Sequence, residues 1–114
     1  MTDKIVVMVT CGSQAEAKKI ARAVVEARLA ACANVMGSPV QSIYRWKGQL
    51  ETAKEVLLLL KSTRKRFSAL EREIRRLHSY DTPEIIAVAI VEGSKGYLQW
   101  IEESVQAIGR GEKK

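Results

Sequence analysis

Two spacings of apolar residues run through this chain and divide it into strands and helices. Residues 5–9, Ile-Val-Val-Met-Val, are apolar without interruption, and so are residues 56–60 and 85–91. A run with no polar alternation has no solvent face, so these segments are expected to be strands covered on both sides within a sheet. Elsewhere the apolar positions recur every three or four residues. Ala17, Ile20, Ala21, Val24 and Val25 form one such stripe; Phe67, Leu70, Ile74 and Leu77 a second; Leu98, Ile101, Val105 and Ile108 a third. Each is one face of a helix, and helices are expected over residues 14–29, 64–77 and 97–108. Ser13 and Glu16 read as a capping box, Ser13 accepting from the Glu16 amide and Glu16 reaching back. Thr63 is the expected N-cap of the second helix. Gly93 and Gly96 flank a turn, and Gly109 stops the third helix.

Residues 40–61, VQSIYRWKGQLETAKEVLLLLK, read as one long hairpin. Lys47-Gly48 is its turn, with Gly48 supplying the positive φ that a short hairpin loop needs. The second arm is polar from Gln49 to Lys54 and apolar beyond, so its outer half leaves the sheet. Tyr44 and Trp46 lie two apart, hence on one face near the tip, and are expected to meet a partner subunit. Upstream, Cys32 to Met36 begins the arm, and Gly37-Ser38-Pro39 interrupts it, as proline must inside a sheet unless at an edge or bulge.

The resulting order, βαββαβ plus a C-terminal helix, predicts an α+β ferredoxin-like sandwich. Two helices cover one face of a predominantly antiparallel sheet of order 4-1-3-2. The other face keeps apolar residues that the third helix and neighbouring subunits are expected to cover. Residues 1–109 form a single domain, and residues 110–114 a polar tail. This topology sorts the reactive side chains. Cys11 ends the first strand. Cys32 starts a strand parallel to it, so the two thiols sit roughly a strand length apart, ~17–20 Å, beyond bridging distance. The second helix returns His78, Asp81 and Glu84 to the Cys11 end. A thiol, an imidazole and carboxylates on one rim are ligands for copper or zinc, although the chain has one histidine and no CxxC.

Composition narrows the classes. The chain of 114 residues is short enough for one domain, and its seven-residue longest apolar run is far too short to span a bilayer. The N-terminus enters a strand with no signal-peptide pattern. Two cysteines suit a reducing compartment, so a cytoplasmic protein is expected. The net charge of +6 permits weak anion binding without announcing nucleic acid. RNA-recognition modules of this topology stack bases on aromatics of strands one and three, and IVVMV and VLLLL have none. The basic second helix, with Arg64, Lys65, Arg66, Arg72, Arg75 and Arg76, reads as a solvated face carrying a Glu71–Arg75 pair. No cysteine–base pair with an oxyanion hole is legible, so no enzyme activity is expected.

Five blocks carry a resemblance: RLAACANV (28–35), SIYRWKGQLE (42–51), EVLLLLKS (55–62), HSYDTPEI (78–85) and GYLQWI (96–101). In this order they resemble the signature of the CutA family, the divalent-cation tolerance proteins, over nearly the whole chain. The resemblance implies a homotrimer akin to the PII signalling proteins, with hairpins packed between subunits, Tyr44 and Trp46 at the trimer interface, and a cytoplasmic role in tolerance of copper and other divalent metals. His78 matches the family block H-x-Y-x-x-P-E-I and, with Cys11, is the expected metal site. Some members have a second histidine where Leu77 stands and a cysteine where Val9 stands, so a copper site of one Cys and two His is incomplete here. Cys32 matches the AC-x-N block. Cys32, Lys61, Tyr80, Glu84 and Trp100, with His78, are expected around clefts between subunits. The alternative function is a PII-like signalling or assembly module whose intersubunit clefts take a small ligand or a partner protein.

Overall fold

The structure, a computed structural model, describes residues 2–106. Its elements run β1 (Lys4–Cys11), α1 (Gln14–Glu26), β2 (Cys32–Val35), β3 (Val40–Trp46), β4 (Gln49–Thr63), a single 3-10 turn (Arg64–Arg66), α2 (Phe67–Leu77), β5 (Ile85–Ala89) and α3 (Lys95–Ser104). The sheet order is β2-β4-β1-β5, all antiparallel, with β3 paired to the outer half of β4. This is the expected ferredoxin-like order, with the arm before the turn split at Pro39 into β2 and β3. The apolar runs of β1 and β4 are the two central strands.

Side-chain parity assigns the two faces. Ile5, Val7, Val9 and Cys11 of β1 and Val56, Leu58 and Leu60 of β4 are buried against α1 and α2, through Ala17, Ile20, Val24, Leu70 and Ile74. The opposite parity faces α3. Lys4 reaches Glu102 of α3 at 3.0 Å, and Ile101 and Val105 pack on Ala31 and Ile90 as a second, smaller core. The rest of that second face is open: Val6, Met8, Leu57 and Leu59 are half-buried, and Ile86 and Val88 on edge strand β5 are half exposed.

β4 is 15 residues long, and its outer half carries β3 beyond the sheet. At ~3.3 Å per residue such a strand is about 50 Å long, which accounts for the 51 Å axis of a molecule only 28 by 25 Å across. Lys47 and Gly48 have φ of 52° and 81°, a two-residue turn with both centres left-handed. Its twist matches the twist of the paired arms.

Four helix ends differ from expectation. α1 ends at Glu26, not residue 29, because Arg28 turns left-handed at φ 60° and Leu29 swings into the core. The Leu29 amide then bonds Val24 O and the Arg28 amide Val25 O, a Schellman closure. α2 begins at Phe67; residues 64–66 form the 3-10 turn, and Thr63 makes no side-chain cap bond because it is buried at the end of β4. Gly96 lies in the first turn of α3, which starts at Lys95. α3 ends at Ser104, not residue 108, with Val105 as its C-cap; Ile108, the expected stop at Gly109 and the tail lie outside the described residues.

Candidate functional site

Three segments meet where β1 ends. β1 brings Thr10 and Cys11, the first turn of α1 brings Glu16, and the loop after α2 brings His78, Ser79 and Tyr80. Cys11 Sγ, a Glu16 carboxylate oxygen and a His78 ring nitrogen lie within 4.8 Å of one another. The topology therefore unites the two ligand residues read from the sequence, and adds a third. Glu16 was legible only as a capping residue. Ser13 Oγ does accept from its amide at 3.1 Å, but the Glu16 carboxylate turns to the Ser79 amide at 2.7 Å and hydroxyl at 3.2 Å.

Hydrogen bonds set the state of each group. The His78 amide closes α2 on Ile74 O, and the ring, buried, places Nε2 2.8 Å from Thr10 O. Nδ1 accepts from the Tyr80 amide at 3.1 Å. A carbonyl only accepts and an amide only donates, so Nε2 carries the proton and Nδ1 the lone pair. Burial pushes the Cys11 thiol up to about 12, and the charges of Glu16 and Glu55 push the same way. Burial also works to raise Glu16, but the Ser79 hydroxyl and amide outweigh it and hold the carboxyl below its ordinary value. A thiol, an imidazole and a carboxylate make a borderline donor set that copper(II) and zinc accept, so the residues fit a divalent cation in kind and spacing. Binding there exchanges the cation for the Cys11 proton and for a hydrogen bond of His78.

The five residues expected around clefts divide between two grooves. Tyr80 and Glu84 line one of about 500 Å³, together with Tyr44, Trp46, Glu55 and Thr10. It sits where the hairpin leaves the sheet. Tyr80 Oη donates to Glu55 at 2.8 Å, and burial, then this bond, raises the phenol to about 12. Cys32 and Trp100 line the other, of about 480 Å³, under Lys18 and Arg22 of α1. Lys61 stands beside them, opposite Cys32 in the β2–β4 ladder, and its ammonium donates to Asn34 Oδ1. Cys11 pairs with Val56 and Cys32 with Lys61, so five residues of β4 separate the two free cysteines. At ~3.3 Å per residue that is about 17 Å.

Known proteins resemble this chain in both sequence and fold. Residues 5–104 match the family described as CutA1 divalent ion tolerance protein. The chain is 44% identical over 99 residues to the divalent-cation tolerance protein CutA of Thermus thermophilus, covering 87% of this chain and 95% of that one. It is 42% identical over 100 residues to human protein CutA, covering 88% of this chain and 55% of that one, so it spans about half the human protein. Among solved structures, that of the Thermus thermophilus divalent cation tolerance protein superposes with a TM-score of 0.88 at 43% identity, over 90% of this chain and 99% of that one. The structure of the periplasmic divalent cation tolerance protein CutA from Archaeoglobus fulgidus gives 0.87 at 36%, over 90% and 99%.

Proposed function

We propose, on the premise that this chain belongs to the CutA1 divalent ion tolerance family, that it is a cytoplasmic homotrimer that answers divalent metal ions by binding them, copper among them. The observation that carries the binding site is the convergence of Cys11, Glu16 and His78 within 4.8 Å. A cation held there ties β1, α1 and the loop after α2 together. Because Cys11 keeps its proton up to about 12, binding through it releases one proton. Affinity then rises by about tenfold per pH unit through the neutral range. Isothermal titration with Cu²⁺ tests the site: His78→Ala and Cys11→Ser should each weaken binding by about tenfold or more. Equal affinity of both variants and the parent protein would remove this site from consideration.

The trimer rests on the open second face. Val6, Met8, Leu59, Ile86 and Val88 share that face with Tyr44 and Trp46, because Val40 opposite Glu55 continues the same parity into the hairpin. Tyr44, Trp46, Ile86 and Val88 are two-fifths to half exposed there, an apolar face of the kind that marks an interaction surface. The two free cysteines, which suit a reducing compartment, support the cytoplasmic placement.

A second reading is favoured by the groove of about 500 Å³ at the base of the hairpin. Its size is that of a small-molecule site, and its aromatic wall belongs to the proposed interface. In this reading the protein is a PII-like module that takes a small ligand between subunits.

A further inference from the structure

Glu55 is the least expected side chain in the molecule. It stands on β4 opposite Val40, where the sheet passes into the hairpin, and is 7% exposed. Among the described residues its carboxylate receives one hydrogen bond, from Tyr80 Oη at 2.8 Å. No Lys or Arg nitrogen of the described residues lies within 4.0 Å of it; their ion pairs are elsewhere. A carboxylate removed from water with a single neutral donor is unfavourable unless a positive charge comes to it. The Glu55 side chain lines the groove at the hairpin base, and so do Asp81 and Glu84. Among the described residues the groove has no basic side chain along it, in a chain whose net charge is +6.

The lining of the groove distinguishes kinds of cation. Three carboxylates closing on one point would suit a metal ion, but the one group of three metal-ligating residues among those described is Cys11, Glu16 and His78. Glu55, Asp81 and Glu84 line the groove without forming such a group, and Tyr44, Trp46 and Tyr80 line it with them. Aromatic faces attract ammonium and guanidinium groups, most strongly where water is excluded. Lys47 shows the same affinity at the hairpin tip, its Nζ 5.9 Å from the Trp46 ring centroid.

We propose that this groove receives an organic cation, an ammonium, amidinium or guanidinium group held on Glu55 between Tyr44, Trp46 and Tyr80. The inference rests on the second reading above and names the ligand class of that groove, which shares Thr10 and Tyr80 with the metal rim but takes its cation on Glu55 rather than on Cys11, Glu16 and His78. The cation has two sources: a free small molecule, or a Lys or Arg side chain of a second copy of this chain.

Titration calorimetry with benzamidine, and with benzamide as its neutral isostere, tests the proposal on the full chain. For a free ligand, benzamidine binds more tightly than benzamide by about 10- to 100-fold, the range of a charge-assisted hydrogen bond, and Glu55→Gln removes the difference. The Gln variant keeps an acceptor for Tyr80, and the comparison of the two probes on the parent protein needs no variant. For a side chain of a second copy, neither probe binds, and Glu55→Gln lowers the melting temperature and the oligomer mass by light scattering. Benzamide binding as tightly as benzamidine would leave the groove a ligand site and overturn the cation. Absence of binding together with an unchanged mass and melting temperature in Glu55→Gln would overturn it as well.

Discussion

Glu16 joins three parts of the chain that lie far apart in sequence. Its amide is capped by Ser13, its carboxylate holds Ser79, and Cys11 and His78 lie within ligand distance. The two Ser79 bonds outweigh burial and hold its pKa below the ordinary 4.5. A depressed carboxylate stabilises the fold above its unfolded pKa, and that contribution is lost as pH falls through its folded pKa. The window is therefore acid, beginning near 4.5 and continuing below it. Glu16→Gln should lower the melting temperature at neutral pH and flatten its decline between roughly pH 5 and 3, the range where carboxylates titrate. An identical decline in the variant would show that Ser79 gains nothing from the charge. Cys11 acts at the other limb. Its thiol titrates near 9.0 when unfolded and about 12 in the fold, so stability present below 9.0 is lost progressively above it. Cys11→Ala should lessen that alkaline loss in a pH series of denaturation curves.

At the scale of elements, Arg28, Lys47 and Gly48 hold left-handed backbone, and two of them, Gly48 and Arg28, predict opposite outcomes. Gly48, at φ 81°, has open space where the methyl group of an alanine would stand, so Gly48→Ala meets only backbone strain. It should destabilise by about 1 kcal/mol. Arg28 at φ 60° is the C′ residue of α1, a position that glycine occupies without strain. Arg28→Gly should therefore stabilise by up to about 1 kcal/mol. Urea midpoints for the two variants, compared at equal protein concentration, check both signs. The hydrophobic stripe located α1 but not its last turn, because the stop is imposed by Leu29 entering the core rather than by a residue that refuses a helix.

The whole molecule is 51 Å long because β4 leaves its own sheet, and the hairpin so formed has one uncovered face. Tyr44, Trp46, Ile86 and Val88 are between two-fifths and about half exposed. Threefold closure would bury such a patch on each subunit and leave no open surface for further growth. Each large aromatic is worth about 2 kcal/mol at such an interface. The Tyr44→Ala, Trp46→Ala double variant should thus lose trimer mass in light scattering or melt well below the parent protein. A parent protein that scatters as a monomer at micromolar concentration would remove the trimer and the intersubunit groove together.

Uninterrupted apolar runs and 3.6-residue stripes are local properties, and by themselves they determined the element order, the central places of β1 and β4, and the ferredoxin-like topology. The same is true of the Lys47-Gly48 turn, which depends on two adjacent residues. Topology alone also carried Cys11 and His78 to one rim and set Cys32 apart. The second role of Glu16 was not legible, because its partner Ser79 lies 63 residues away and only packing of α1 against the loop after α2 brings them together. Nor was the isolation of Glu55. In sequence it adjoins the polar half of a hairpin arm, and its one hydrogen-bond donor among the described residues, Tyr80, comes from a loop 25 residues on. Local pattern fixes which face a side chain takes; whether a charge on that face finds water, a partner or neither is decided by the distant segments that fold against it.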